Sequence, residues 1–518
     1  MLHFPDWSDL GKTSQLSRGM WEAMQARIQE YRSYYVGEIF EERVPIEEPV
    51  GGYAASTDTP LMYPAGLNII KMILHAQADA MFGEYEDDII TFEPTGEETA
   101  DSAMTDAIKL LQGIARNSNL NAKLWEAALE RELYGGALFK VTPYLKKGDV
   151  LRWVKAPLEG FYPIWDPEDE DKLLEVYMAV EMTREQARAR YGYNGDKERV
   201  LRVEHWTQKY YTNHLDGKEI SGYSGVNPWG FVPFVYMPRI RTDNWWGDPL
   251  TPDLIAPQNE LNARIADIGE AINYNAHPTR WGINLPRSFK VDNFPLGPNA
   301  FWDLGRSIGS MPEPKVGVLE IKDPVPAEVF TFVNFLYDWT RVSSFLPPIA
   351  FGQDNGGGQR SGDTLEIRMW SMVKAIHRSR AYMTSGIRQM IWMSAQILKQ
   401  KRLMDVPARA LSRMEDGLIL PRYGSVLPRD HQATVDEVVK LMTTNPPTLS
   451  IETAQKILGR GPGEIDKIKA MLNMTELYQN AMSKAAMEQK SAVSGEAKSP
   501  EKSKDKERSE AKKKEQSA

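Results

Sequence analysis

The chain has 518 residues, with 62 Lys and Arg against 71 Asp and Glu, a formal net charge of −9 and no cysteine. Without cysteine there is no disulfide framework, no thiolate metal site and no cysteine nucleophile. The acidic balance argues against a static clamp on DNA, which calls for a basic surplus, but not against a passage through which DNA slides.

The first residues, MLHFPDWSDLGKTSQ, lack the basic head and apolar core of a signal peptide. From Lys12 to about Arg43 the apolar spacing predicts a helix. A second helix is expected from about Pro64 to Met81, with Phe82-Gly83 as its stop. Its run NIIKMILHAQADAMF is interrupted by Lys71, His75 and Asp79, so it is not expected to span a membrane. DDIITFEP alternates like a strand, and a single helix is expected from about Thr99 to Tyr134, ending at Gly135-Gly136.

From Ala137 to about Arg241 the chain reads as strand-rich, with turn signals at KKGD, YNGD and HLDGK and a short helix at EMTREQARARYG. Leu261, Ile265, Ile268 and Ile272 are spaced four, three and four apart, a heptad-like stripe on a helix of about 20–25 residues. Pro257 is a candidate kink in that helix, and Pro278 ends it. RWGINLP, NAFWDLG and KVGVLEI then read as short strands, and PAEVFTFVNFLYDWTRVSSF returns to a helix. The simplest arrangement is two helices side by side as a stalk, with the β-rich insert at its tip.

AFGQDNGGGQRSGD is the loosest stretch of the chain, because three consecutive glycines lose the most entropy on ordering. It abuts the longest helical pattern, which begins near Ser361-Gly362-Asp363, with Asp363 and Glu366 as a capping signature, and runs to about Arg402. About 40 residues span roughly 60 Å, more than the roughly 24 Å radius of gyration of a compact chain of this size. No acid occurs between Glu366 and Asp405, whereas Arg368, Lys374, Arg378, Arg380, Arg388, Lys399, Lys401 and Arg402 do. That basic face suits either solvent and a neighbouring subunit or a polyanion. Smaller helices are expected from there to about Gln489, and the charged, low-complexity end from about Ser491 is expected to be disordered.

Catalytic signatures are missing. Gly352 to Gly357 has phosphate-loop spacing, but Gly358-Gln359 stand where Lys-Ser/Thr is required. The seven histidines form no i, i+4 pair for zinc. WDPEDEDK reads as an acidic solvated turn rather than a cation site, and NWWGDP as buried Trp rather than a base-stacking platform. No catalytic residue, cofactor or metal is expected, and the chain is read as not an enzyme.

The order of these parts resembles tailed-bacteriophage portal proteins, over about Tyr63 to Leu472. The resemblance is carried by NIIKMILHAQADAMFGEYEDDIITFEP, ELYGGALFKVTPY with APLEGFYPIWD, VPFVYMPRI followed by GDPLTPDLIAPQNELNARIADI, LPPIAFGQ followed by GQRSGDTLEIRMW, and LPRDHQATVDEVVKLM followed by LSIETAQKILG. Family members often carry Ala-Leu after the Ser-Gly, where this chain has Asp363-Thr364-Leu365. The first 60 residues and the charged tail lie outside the resemblance.

It implies an α+β, mainly helical subunit. Residues 1–247 would be a wing, 248–277 the first stem helix, 278–323 a β-rich clip and 324–345 the second stem helix. Residues 346–362 would be a tunnel loop, 363–431 the long wing helix and its return, 432–489 a helical crown and 490–518 a disordered tail. Leu261, Ile265, Ile268 and Ile272 would pack on Phe332 and Leu336. Gln353, Asp354, Asn355, Gly356, Gly357, Gly358 and Gln359 would reach into a channel. The implied function is a ring, typically dodecameric, at one capsid vertex, through which double-stranded DNA is packaged and ejected. The implied partners are other copies of the chain, the terminase large subunit, scaffold and major capsid protein, and a head-completion or adaptor protein; no membrane is implied. The implied location is the virion, and the host cytoplasm during assembly. The alternatives are another virion ring or adaptor protein, or an enzyme of the packaging machine, which would need a Walker motif or a two-metal carboxylate cluster.

Overall fold

A computed structural model describes residues 16–40, 66–83, 88–95, 101–142, 151–276, 280–285, 312–318, 325–351, 362–401, 407–427, 431–444 and a few positions between 448 and 471. Among the described residues the protein is mixed α+β and mainly helical, at 53% helix and 21% strand. The chain divides into two units, Met1–Pro428 and Arg429–Ala518.

The first unit opens with helix α1 (Arg18–Val36), capped by the Ser17 side chain and shorter at both ends than the sequence pattern suggested. α2 (Ile69–Phe82) ends at Gly83 as expected and leads to strand β1 (Ile90–Pro94). The single helix expected over about Thr99 to Tyr134 is two, α3 (Ser102–Asn117) and α4 (Leu120–Tyr134). The break falls at Asn119, whose φ of 51° is left-handed. Asn tolerates that region better than other non-Gly residues, and no Gly or Pro marks the site.

Strands β2 (Gly136–Thr142), β3 (Arg152–Ala156) and β10 (Phe234–Pro238) form a three-stranded antiparallel sheet in the order β10-β2-β3. Side chains alternate across a strand, and this sheet uses that to separate two cores. Ala137, Phe139 and Val141 of β2 and Val235 and Met237 of β10 face the helices. Leu138, Phe234 and Tyr236 face a second, aromatic core.

That second core is closed by the larger sheet of β4 (Phe161–Trp165), β5 (Leu173–Thr183), β6 (Arg199–Thr207), β7 (Tyr210–Leu215) and β8 (Lys218–Glu219), with β9 (Gly225–Val226) also paired to β7. The predicted short helix is α5 (Arg184–Tyr191), which starts with a Thr183–Gln186 capping box. HLDGK makes a two-residue hairpin in which Leu215 pairs with Lys218. Its central residues, Asp216 and Gly217, have φ of 51° and 78°, as a type I′ turn requires. Trp245 and Trp246 are buried in this core, Trp245 stacking on Trp165 at 4.7 Å. The acidic turn is neutralised locally: Lys172 pairs with Asp166 at 2.8 Å and Arg241 with Asp171 at 2.7 Å.

Between the two sheets lies a buried ionic cluster. Lys140 of β2 pairs with Glu204 of β6, which also accepts from Trp206 Nε1 at 2.9 Å and pairs with Arg202 at 3.1 Å. Burial alone would raise the Glu204 carboxyl, but Lys140 and Arg202 outweigh it and hold the group at about 2. Glu204→Gln leaves Lys140, whose side chain is 19% exposed, without its counter-charge and is expected to cost about 3 kcal/mol at neutral pH. The folded value lies below the unfolded one of about 4.3. The contribution is therefore complete above the unfolded value and is lost as pH falls from about 4.3 through 2. Urea midpoints across that window should fall in the wild type and be flatter in Glu204→Gln; parallel curves would remove Glu204 from the acid response.

After β10 come α6 (Thr251–Ala276), β11 (Arg280–Ile283), β12 (Lys315–Val318), α7 (Ala327–Ser343), α8 (Gly362–Lys401), α9 (Ala408–Glu415) and β13 (Ile419–Tyr423). β13, which the sequence reading left as part of a helical stretch, pairs antiparallel with β1 from Ile90↔Tyr423 to Pro94↔Ile419. The second unit contributes α10 (His431–Thr443), followed by a turn in which Thr448 N donates to Leu441 O at 3.1 Å.

Candidate stalk, long helix and loop anchors

α6 and α7 pack against each other, and between them in sequence β11 and β12 form an antiparallel pair, Arg280↔Val318 to Ile283↔Lys315. In that pair Trp281 lies opposite Gly317, and a Cβ at 317 would meet the indole at 2.6 Å. NAFWDLG, the third expected strand, lies outside the described residues.

α6 continues through Pro257 without ending. Its first half is built into the body of the unit. Thr251 Oγ donates to Leu133 O at 2.9 Å, and Leu254 and Leu261 are fully buried. Gln258 is 1% exposed; its carboxamide oxygen accepts from Ile69 N at 2.8 Å and Ile70 N at 3.3 Å, and its nitrogen donates to Leu67 O. Gln258 thus satisfies first-turn donors of α2 that no intrahelical carbonyl can reach.

The predicted stripe fades along α6. Leu261 is in the main core, Ile265 packs against that core, Ile268 is half-buried, and Ile272 is 57% exposed. On α7, Leu336 packs inward with Val333 and Tyr337, while Phe332 is 41% exposed and lies on the outer side. Both sides of this helix are apolar, so composition alone did not fix which one faced α6. Ile265→Asp or Leu336→Asp is expected to lower stability by about 2–4 kcal/mol. Ile272→Asp and Phe332→Asp should stay within about 0.5 kcal/mol. Thermal melts that rank the four substitutions otherwise would reject this phasing.

Gln353, Asp354, Asn355, Gly356, Gly357, Gly358 and Gln359, expected from the sequence to form a tunnel loop, lie outside the described residues, but the anchors on both sides are described. Upstream, Ser344 and Leu346 are buried, and the buried Gln77 of α2 donates to Ser344 O at 2.5 Å. Ile349 and Phe351, in a short 3₁₀ turn, pack on the core. Phe345 is held at φ 59°, with Leu346 N donating to Arg341 O at 3.2 Å. That is a helix C-terminal turn in which Gly would be the unstrained residue. Downstream, α8 starts at Gly362, which places Asp363 inside the first turn rather than at the cap. Among the described side chains of α8, which begin at Ile367, Met369 and Met372 are the first buried apolar residues.

α8 has 40 residues and is held by polar contacts at Ser379, Arg380 and Ser394. Arg131 of α4, 0% exposed, donates to Pro238 O at 3.1 and 2.9 Å, to Arg239 O at 3.3 Å and to Ser379 O of α8 at 2.7 Å. Arg380 of α8 donates to Met81 O at 2.7 Å and Gly424 O at 2.9 Å, and its guanidinium lies 5.0 Å from the Tyr423 ring centre. Ser394 accepts from Trp153 Nε1 at 2.9 Å. Burial pushes both arginines down to about 10, so both stay charged at neutral pH. At Gly386, a Cβ would lie 2.5 Å from Met237 Cγ, so the missing side chain lets β10 lie directly on the helix.

Arg380, one of the basic residues noted in sequence, is therefore an internal clamp. Arg368, Lys374, Arg378, Arg388 and Lys399 are exposed. Arg131, Gln77 and Gln258 escaped the sequence reading. The last two had a faint signal, an uncharged polar residue inside an otherwise apolar helical stripe. Arg131 had none, because an Arg between two glutamates, as in ALERELY, reads as solvated.

Among the described residues there is no group of three His, Cys, Asp or Glu side chains placed to hold a metal, and no helix is long and apolar enough to cross a membrane. No protein-family model matches the chain, and no curated protein matches it.

Proposed function

We propose that this chain is a portal subunit: one member of a ring, typically dodecameric, at a single capsid vertex, through which double-stranded DNA enters and leaves a viral head. The observation that carries the reading is an arrangement in chain order. A helix rooted in the body (α6), a two-stranded β unit (β11–β12) and a returning helix (α7) lead, across a glycine-rich connection, into a 40-residue helix. In this reading α6 and α7 are the stem, β11–β12 belongs to the clip and Gln353–Gln359 form the tunnel loop. The clip would meet the terminase large subunit and later a head-completion or adaptor protein. Scaffold and major capsid protein would hold the ring at its vertex, and assembly would take place in the host cytoplasm.

Two features support a conduit over an enzyme. The rigid clamps end at each side of the loop, so a channel element can change shape without disturbing the core. The buried charges at Arg131, Arg380 and the Lys140–Glu204 pair are all engaged in holding elements together. Electron microscopy of purified full-length protein tests the reading. Closed rings with an axial hole are expected, and a chain that stays monomeric at all concentrations would reject it.

A further inference from the structure

α7 carries two apolar faces, and only one of them is used within the subunit. Val333, Leu336 and Tyr337 pack inward. On the outer side stand Phe332, Phe335, Trp339 and Val342, which are 41, 57, 56 and 66% exposed. Their spacing is three, four and three, the a/d pattern of a helix seam. The rings form a ladder, with Phe332–Phe335 centres 6.5 Å apart and Phe335–Trp339 centres 6.3 Å apart. Apolar surface of this size in one continuous row marks a contact site. The row ends near Phe345, 42% exposed and kept in the strained left-handed region where Gly would relieve the backbone.

The charges beside this row are acidic. Glu328 and Asp338 are exposed; Asp338 pairs with the helix's single cation, Arg341, whose side chain is only 5% exposed, so the helix keeps a net charge of −1 with no exposed cation. A face of aromatic rings and carboxylates repels a polyanion and attracts cations.

The start of α8 offers the complement. Ile367 and Trp370 are 76 and 60% exposed, Lys374 lies over the Trp370 ring at 4.5 Å, and Arg368 and Arg378 are exposed. No acid occurs from Ile367 to the end of α8. The two rows also match in length, at about 15 Å from Phe332 to Val342 and about 16 Å from Ile367 to Arg378.

We infer that the outer aromatic row of α7 in one subunit docks on the basic Ile367–Arg378 face of α8 in a second copy of the chain. The faces differ, so the contact is head-to-tail, the kind that closes rings rather than pairs. The inference rests on the ring-forming reading above, and it assigns the basic face of α8 to a neighbouring subunit rather than to DNA.

The test uses full-length protein. p-Benzoyl-phenylalanine is placed at position 339 in place of Trp339, with isotope-labelled and unlabelled copies mixed before irradiation. Cross-links between copies should map to residues 367–378. Phe335→Ala with Trp339→Ala, and separately Lys374→Glu with Arg378→Glu, should each reduce the assembled fraction at least tenfold by mass photometry. Because these residues are exposed within the subunit, the circular dichroism spectrum should match the wild type. Intact rings from both double variants, or cross-links mapping elsewhere, would overturn the docking while leaving the ring reading in place. Rings that persist in Lys374→Glu with Arg378→Glu but lose duplex DNA binding would overturn it in favour of a polyanion contact. A wild-type chain that never assembles would reject the docking and the ring reading together.

Discussion

Arg131→Met is expected to lower the stability of the first unit by about 3–5 kcal/mol, enough to unfold a marginal domain. The side chain is wholly buried and donates to three carbonyls on two segments: Pro238 and Arg239 at the end of β10, and Ser379 of α8. Methionine fills most of the volume but donates nothing. Each buried carbonyl left dry costs about 1–3 kcal/mol. Removing a desolvated charge, one of whose nitrogens, Nη1, has no partner, returns part of that loss. Arg131→Lys should recover little, because a single ammonium on a shorter stem cannot reach three carbonyls held by a planar fork. Urea unfolding followed by tryptophan fluorescence measures both. Trp153 reports directly, since its indole donates to Ser394 on the helix that Arg131 clamps. A loss below about 1 kcal/mol for Arg131→Met would mean that the apolar contacts, not the guanidinium, hold α8 in place.

The long helix was legible because its signals agree. Apolar residues recur at helical spacing over 40 positions, no proline interrupts them, and the observed bounds, Gly362–Lys401, lie within a residue or so of the expectation. α5 was legible from its Thr183–Gln186 box, and the β7–β8 hairpin from Asp-Gly. These are local signals, in which neighbours in sequence decide the conformation.

What escaped was decided at a distance or by phase. β13 pairs with β1 across more than 300 positions, and its Pro421 argues against a strand when read alone. The break between α3 and α4 depends on one Asn in a left-handed conformation, in a stretch whose composition still favours helix. On α7, Phe332, Val333, Phe335 and Leu336 are all apolar, so the inner side was settled by what α6 presents. The clamps were invisible for a related reason. A buried Arg is identified by the carbonyls around it, and those come from segments more than 100 residues away.

Shortening the loop by deleting Gly356 to Gly358 is expected to leave the subunit folded and the ring assembled, while DNA packaging falls sharply. The described anchors explain the first half. Leu346 and Phe351 on one side, and Met369 and Met372 on the other, are held by the core irrespective of what lies between them. Changing the length of a connection between two anchored ends alters closure entropy by only about 0.6 kcal/mol per doubling. The second half follows from the proposed function, since a loop that must reach and follow a moving duplex loses reach with each residue removed. Asn355→Lys separates reach from charge. It adds one cation per subunit, which the proposed ring would multiply around its passage. Each phosphate so neutralised steepens the salt dependence of DNA affinity by about 0.9 in log–log slope. Assembled Asn355→Lys rings should therefore bind duplex DNA more tightly than wild type at low salt and lose that gain at high salt. In a packaging reaction the same rings should stall with shorter DNA per procapsid. Deletion rings should fail with no gain in affinity. Wild-type packaging from both variants, with rings intact by electron microscopy, would show that the loop does not meet DNA. Loss of rings in the deletion would show instead that the three glycines serve assembly.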